Sequence, residues 1–163
     1  MAEFLLEALS EEIPARMQKR AAEEFSQIFT SELEKVGLAH EPANYFVTPR
    51  RIAVSIDGLP LQQSTVVEER RGPRVDAPAA ALDGFMRSNN ISRDQIEERE
   101  TKKGRFYFVE IETKGKLTKE VLPAIIETSL KKFAWPKSMR WGSNSFRWVR
   151  PLHSILAVFE AEV

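Results

Sequence analysis

Residues 136–153 read Pro-Lys-Ser-Met-Arg-Trp-Gly-Ser-Asn-Ser-Phe-Arg-Trp-Val-Arg-Pro-Leu-His. Lys137, Arg140, Arg147, Arg150 and His153 alternate there with Trp141, Phe146 and Trp148, and no acid interrupts them. After Glu127 the next carboxylate is Glu160. Lys and Arg neutralise phosphate, and flat rings offer faces on which bases or guanidinium groups stack, so this composition suits a nucleic-acid strand. The competing reading is a loop whose rings plug the core while its arginines stay in water.

Two shorter basic clusters precede it. Arg50 and Arg51 follow Thr48-Pro49 between two predicted strands. Paired arginines in that position either solvate a sheet edge or form a compact phosphate site. Arg70, Arg71 and Arg74 surround Gly72-Pro73. Gly72 lets the backbone come close to something and Pro73 stiffens the exit, but Glu68 and Glu69 can neutralise these arginines.

Catalytic chemistry is not assigned to any residue. Neither a dinucleotide-type glycine loop, nor a Walker pattern, nor a Gly-x-Ser-x-Gly elbow occurs. Glu11-Glu12, Glu68-Glu69 and Glu97-Glu98 are adjacent acids, which diverge on a helix or strand and make no acid/base dyad. His153 can be a lone base, or a structural histidine beside an apolar strand. There is no Cys and only two His, which excludes disulfides, thiolate sites and multi-histidine metal clusters.

Composition frames these clusters. The 163 residues carry 24 basic and 24 acidic side chains, so affinity for nucleic acid must come from a local patch. With 42% hydrophobic and 29% charged residues the chain is too apolar to be disordered. Its start lacks the basic region of a signal peptide, and no apolar run reaches the ~20 residues of a membrane span. The chain stops soon after a strand-like run at 154–159, which reads as a fragment of a longer natural protein.

The elements that position the clusters follow from periodicity. Residues 3–9 form a first strand, with Ser10 as a candidate helix N-cap. Residues 15–36 repeat Met17, Ala21, Phe25, Ile28, Phe29, Leu33 and Val36 at helical spacing, closed by Gly37. Strands are predicted at 45–47, 52–56 and 65–70, and a short helix at 78–89 with Leu82, Phe85 and Met86 on one side. Ser92 and Gln95 have capping-box spacing. The clearest hairpin joins 96–101 to 105–113 through Lys102-Lys103-Gly104, its Phe106 and Phe108 alternating with Tyr107, Val109 and Ile111. That alternation fits a core face better than an RNA-binding aromatic platform, because acids flank it. A third helix spans 118–133, with Pro123 implying a late start or a kink. The predicted architecture is a single α+β domain: one mixed, largely antiparallel sheet of roughly five to seven strands with about three helices packed on it.

Several motifs together resemble the N-terminal part of the β subunit of bacterial heterotetrameric glycyl-tRNA synthetase. They are Phe4-Leu5-Leu6-Glu7 with Glu11-Glu12-Ile13-Pro14, Thr48-Pro49-Arg50-Arg51-Ile52-Ala53, Arg71-Gly72-Pro73 and Lys103-Gly104. Pro136-Lys137-Ser138-Met139-Arg140-Trp141-Gly142 and Phe146-Arg147-Trp148-Val149-Arg150-Pro151-Leu152-His153 complete the set. The run Glu7-Ala8-Leu9-Ser10-Glu11-Glu12 departs from the family's usual Glu-Ile-Gly-Thr-Glu-Glu. The resemblance implies a cytoplasmic α2β2 ligase that joins glycine to tRNA-Gly, with ATP used in the α subunit and no cofactor held by this segment. It implies also a longer β subunit, whose HD-type and anticodon-binding domains are absent here. Joined to the residue reading, it makes Arg50, Arg51, Arg71, Lys137, Arg140, Arg147 and Arg150 candidate contacts to tRNA phosphates, with Trp141 or Trp148 stacking or buttressing. A rival reading makes the same region a docking module for the α subunit. A third buries Arg140 or Arg150 in pairs with Glu7, Glu11 or Glu12.

Overall fold

Alternation along the first strand sets one face of a sheet. In the computed structural model, which describes residues 2–143 and 145–163, strand β1 (Ala2–Ser10) buries Phe4, Leu6 and Ala8 and leaves Leu5, Glu7 and Leu9 half-buried. Strand β2 is Asn44–Thr48 and β3 is Arg51–Leu59. Strands β4 (Val66–Arg74), β5 (Ile96–Thr101), β6 (Gly104–Thr113) and β7 (Leu152–Phe159) follow. The helices are α1 (Ala15–Lys35), α2 (Ala79–Asn89) and α3 (Thr118–Lys132).

The chain divides into two units, Met1–Ser64 with Lys116–Val163, and Thr65–Gly115. In the first, four antiparallel strands run in the order β2-β3-β1-β7. Leu6 lies between Val54 and Ala157, and Phe4 between Ile56 and Phe159, so apolar side chains line up across the sheet. Helix α1 supplies Ala21, Ala22, Phe25, Phe29 and Leu33 to the same core, and the Phe29 ring stacks on Phe4 at 5.2 Å. Helix α3 lies beside α1 and adds Leu122, Ile125 and Leu130. Each such side chain contributes about 1.5–3 kcal/mol when removed from water. Pro123 sits inside α3, which nonetheless begins at Thr118, without the late start its position suggested.

At the sheet's border, β7 ends in a two-residue reversal. Glu160 and Ala161 both take positive φ (52° and 61°), and Phe159 and Glu162 exchange backbone hydrogen bonds. Ile155 and Leu156 on this strand stay 45% and 38% exposed.

The second unit is a three-stranded antiparallel sheet, order β4-β6-β5, with α2. Tyr107, Val109 and Leu82 are its buried side chains. Ser92 and Gln95 form the predicted capping box, on a single 3-10 turn, Arg93–Gln95. A Cβ added at Gly72 would stand 2.8 Å from the Phe85 ring, so the close neighbour inferred from the sequence is an aromatic side chain of α2. Gly72→Ala should therefore cost about 1–3 kcal/mol, read as earlier chemical unfolding and faster amide exchange in β4 and α2.

The α+β class and its helices match the sequence reading, but the strands form two sheets instead of one, and every pairing is antiparallel. The reason is local closure. β4, β5 and β6 satisfy one another within Thr65–Gly115, and the flanking chain is clamped where it leaves and returns. There the Gln63 N–H bonds Lys116 C=O, the Thr118 N–H bonds Leu61 C=O, and Gln62 pairs with Leu117. Ser10 is not a helix cap. It ends β1, its N–H bonds Arg50 C=O, and α1 starts behind Pro14 with no side-chain cap.

Candidate functional site

Trp148 fastens the basic stretch to the core. It is 1% exposed, and its ring meets Trp135 at 5.0 Å, Phe133 at 5.5 Å, Phe146 at 5.9 Å and Phe25 at 6.2 Å. Backbone hydrogen bonds in both directions between Met139 and Trp148 (2.8 and 3.2 Å) close the intervening residues into a loop. Gly142, with φ of 60°, takes a left-handed conformation in that loop. Asn144, inside the stretch, lies outside the described residues.

Pulling Trp148 and Val149 inward leaves Arg147 and Arg150 outside, and Lys137 and Arg140 are exposed as well. Arg147 donates to the Ser138 hydroxyl (3.1 Å) and carbonyl (3.2 Å), while Arg150 Nη1 has Met139 Sδ at 3.9 Å. Among the described residues none of these four cations has a carboxylate partner. Trp141 is half-buried, edge-on to Phe146 at 6.0 Å. The Trp148 ring is surrounded by core side chains and presents no open face on which a base could stack.

The remaining candidates divide. The acid pairing considered for Arg140 and Arg150 goes to Arg50 and Arg51 instead. Arg50 Nη2 lies 3.4 Å from Glu11 Oε1, with its Nε donating to Ser10 C=O, and Arg51 Nε lies 3.4 Å from Glu7 Oε2. All four side chains keep solvent contact, so the pairs set local charge more than stability. Arg50 and Arg150 both line an open cavity of about 650 Å³, but Glu11 and Glu12 line it too and oppose an anion. Arg71 belongs to the second unit, where its guanidinium lies 4.8 Å over the Phe106 ring. Arg99 similarly covers Phe108 at 5.6 Å while pairing with Glu69, Glu97 and Glu110. The alternating rings of β6 are thus roofed by arginine and offer no open platform.

The sequence did not reveal the pairing of Glu11 with His153, whose Nε2 lies 2.6 Å from Glu11 Oε1. No local pattern connects residues that far apart. This hydrogen bond, followed by the charge of Arg50, holds the Glu11 carboxyl below its ordinary value of 4.5. The sign follows from linkage: a depressed carboxyl stabilises the fold above its unfolded value, and the contribution disappears as pH falls through the lower folded value. Glu11→Gln should flatten the acid limb of a thermal-midpoint titration below about pH 4.5, its small deficit being present at neutral pH and vanishing as the parent's carboxyl protonates.

The family model described as glycyl-tRNA synthetase beta subunit matches residues 4–163. A protein of Rhodospirillum centenum named glycine–tRNA ligase beta subunit is 51% identical over 164 residues, covering 100% of this chain and 23% of that protein. One of the same name from Paracoccus denitrificans is 48% identical, covering 99% and 24%. Another from Phenylobacterium zucineum is 44% identical, covering 100% and 24%. The chain spans about a quarter of the length of these relatives.

Proposed function

The chain belongs to the glycyl-tRNA synthetase β-subunit family, and from that premise we propose that it gives an ATP-dependent glycine–tRNA ligase part of its tRNA-contacting surface. The enzyme is an α2β2 assembly acting in the cytoplasm on tRNA-Gly. Glycine activation and ATP belong to the α subunit. This segment contributes no catalytic residue and holds no cofactor, and it continues into HD-type and anticodon-binding domains.

One observation carries the reading: Lys137, Arg140, Arg147 and Arg150 stand exposed and without carboxylate partners around a loop held by Trp148. Cations left unneutralised on a fixed backbone are what phosphate contact requires. Arg50 and Arg51 have their charge offset by Glu11 and Glu7 and are weaker members of the contact set than the four unpaired cations. Arg71, exposed and lying over Phe106, has no carboxylate partner among the described residues and stays in the contact set through its in-plane N–H donors.

The test is a salt series with the full-length β subunit, titrated against tRNA-Gly and against an unrelated tRNA. Binding whose logarithm falls linearly with the logarithm of salt, similarly for both tRNAs, is expected from backbone contacts of this kind. A salt response that is unchanged when the loop cations are removed would transfer the region to α-subunit docking.

A further inference from the structure

Arg147 also lines a cavity of about 470 Å³ whose walls include Lys131, Lys132, Trp135, Ser138 and Phe146, and among the described residues no acidic side chain lines it. Three cations therefore converge on one concave space. Trp135 is 8% exposed, and its indole Nε1 is buried with no hydrogen-bond partner among the described residues. An indole nitrogen can only donate, and burying it unpaired is unfavourable, so an acceptor brought within its reach by a bound ligand and a small shift of the Trp135 side chain would satisfy it. Lys131 and Lys132 pair with Glu127 (2.5 Å) and Glu32 (2.8 Å). The Lys131–Glu127 pair is exposed on both sides, so Lys131 turns to another anion at little cost, whereas Lys132 is held by a Glu32 that is only 12% exposed and also binds Lys35.

These features select among occupants. The volume matches a small-molecule or single-residue site, not a flat contact. A phosphate alone would use the cations, and could accept the indole N–H, but would leave the apolar Phe146 wall unused. An unpaired nucleotide uses all three, because single-stranded RNA presents splayed bases with free acceptor edges.

We infer that this cavity takes one unpaired nucleotide of the bound tRNA. Its phosphate meets Lys131, Lys132 and Arg147, its base lies against Phe146, and an acceptor on the base edge receives the Trp135 N–H. The inference rests on the reading of the neighbouring loop as a tRNA surface and adds recognition of a nucleoside to recognition of charge.

The experiment follows the indole N–H resonances of the full-length β subunit, with Trp135→Phe identifying the relevant signal. Inorganic phosphate, each of the four nucleoside 5′-monophosphates, tRNA-Gly and the α subunit are added separately. The Trp135 signal should move with tRNA-Gly and with at least one nucleotide, and markedly less with phosphate at the same concentration. Lys131→Gln, which breaks only an exposed pair, should weaken nucleotide binding several-fold without moving the thermal midpoint. A tRNA that binds with the expected salt dependence but leaves the indole unmoved overturns the pocket and keeps the loop reading. Equal effects of phosphate and nucleotide overturn base recognition, and a response to the α subunit alone reassigns the cavity to a protein contact. Absence of any tRNA binding removes both readings.

Discussion

Trp148→Ala should destabilise the unit built from Met1–Ser64 and Lys116–Val163 by about 3–5 kcal/mol, or about 10–20 °C in thermal midpoint. The ring is fully buried and touches four other aromatic side chains, so its loss opens a large cavity that rigid neighbours cannot refill. The damage extends to function without any contact between this residue and RNA. Met139 and Trp148 close the loop that carries Arg140 and Arg147, and that closure depends on Trp148 staying in place. Trp148→Phe should retain much of the stability, and Trp141→Ala should cost far less, because Trp141 is only half-buried. A Trp148→Ala protein with the parent's midpoint would contradict the anchor.

The second large effect is the opposite in kind. Replacing Lys137, Arg140, Arg147 and Arg150 together with Ala should leave the fold intact and remove up to four phosphate contacts. The slope of log affinity against log salt should then become shallower by up to about 3.6, since each contact contributes about 0.9. Between about 50 and 200 mM salt the parent should lose roughly a hundred-fold more affinity than the variant. The ratio of affinities for tRNA-Gly and an unrelated tRNA should stay the same, because phosphate contacts carry no sequence information. Thermal midpoints separate this outcome from a folding defect: the side chains are exposed, so a large drop in midpoint would show that they serve the structure.

Much of this was written in local pattern. The stripe Phe25, Phe29 and Leu33 gave α1 and its buried face correctly, and the alternation of Tyr107 and Val109 gave β6 its core side. What depends on distant partners was not. Alternation tells which side of a strand is apolar but not which strands pair, so one sheet and two looked alike. Ser10 has the chemistry of a cap, yet its backbone is committed to Arg50, forty residues away. Trp148 sits between Arg147 and Arg150, and such a run reads the same whether the ring turns inward or the cations do. Glu7 and Glu11 decide which arginines are neutralised, and those pairings exist only after β1 has met β3 and β7.

The border strand β7 has a practical consequence for every titration described above. It contains neither Lys nor Pro, the residues that normally discourage further pairing, and it exposes Ile155 and Leu156 beside an unpaired row of backbone groups. Where that edge is open, two copies can join strand to strand, each bringing its own set of loop cations. Binding curves would then steepen as protein concentration rises, imitating cooperativity that belongs to self-association and not to the RNA.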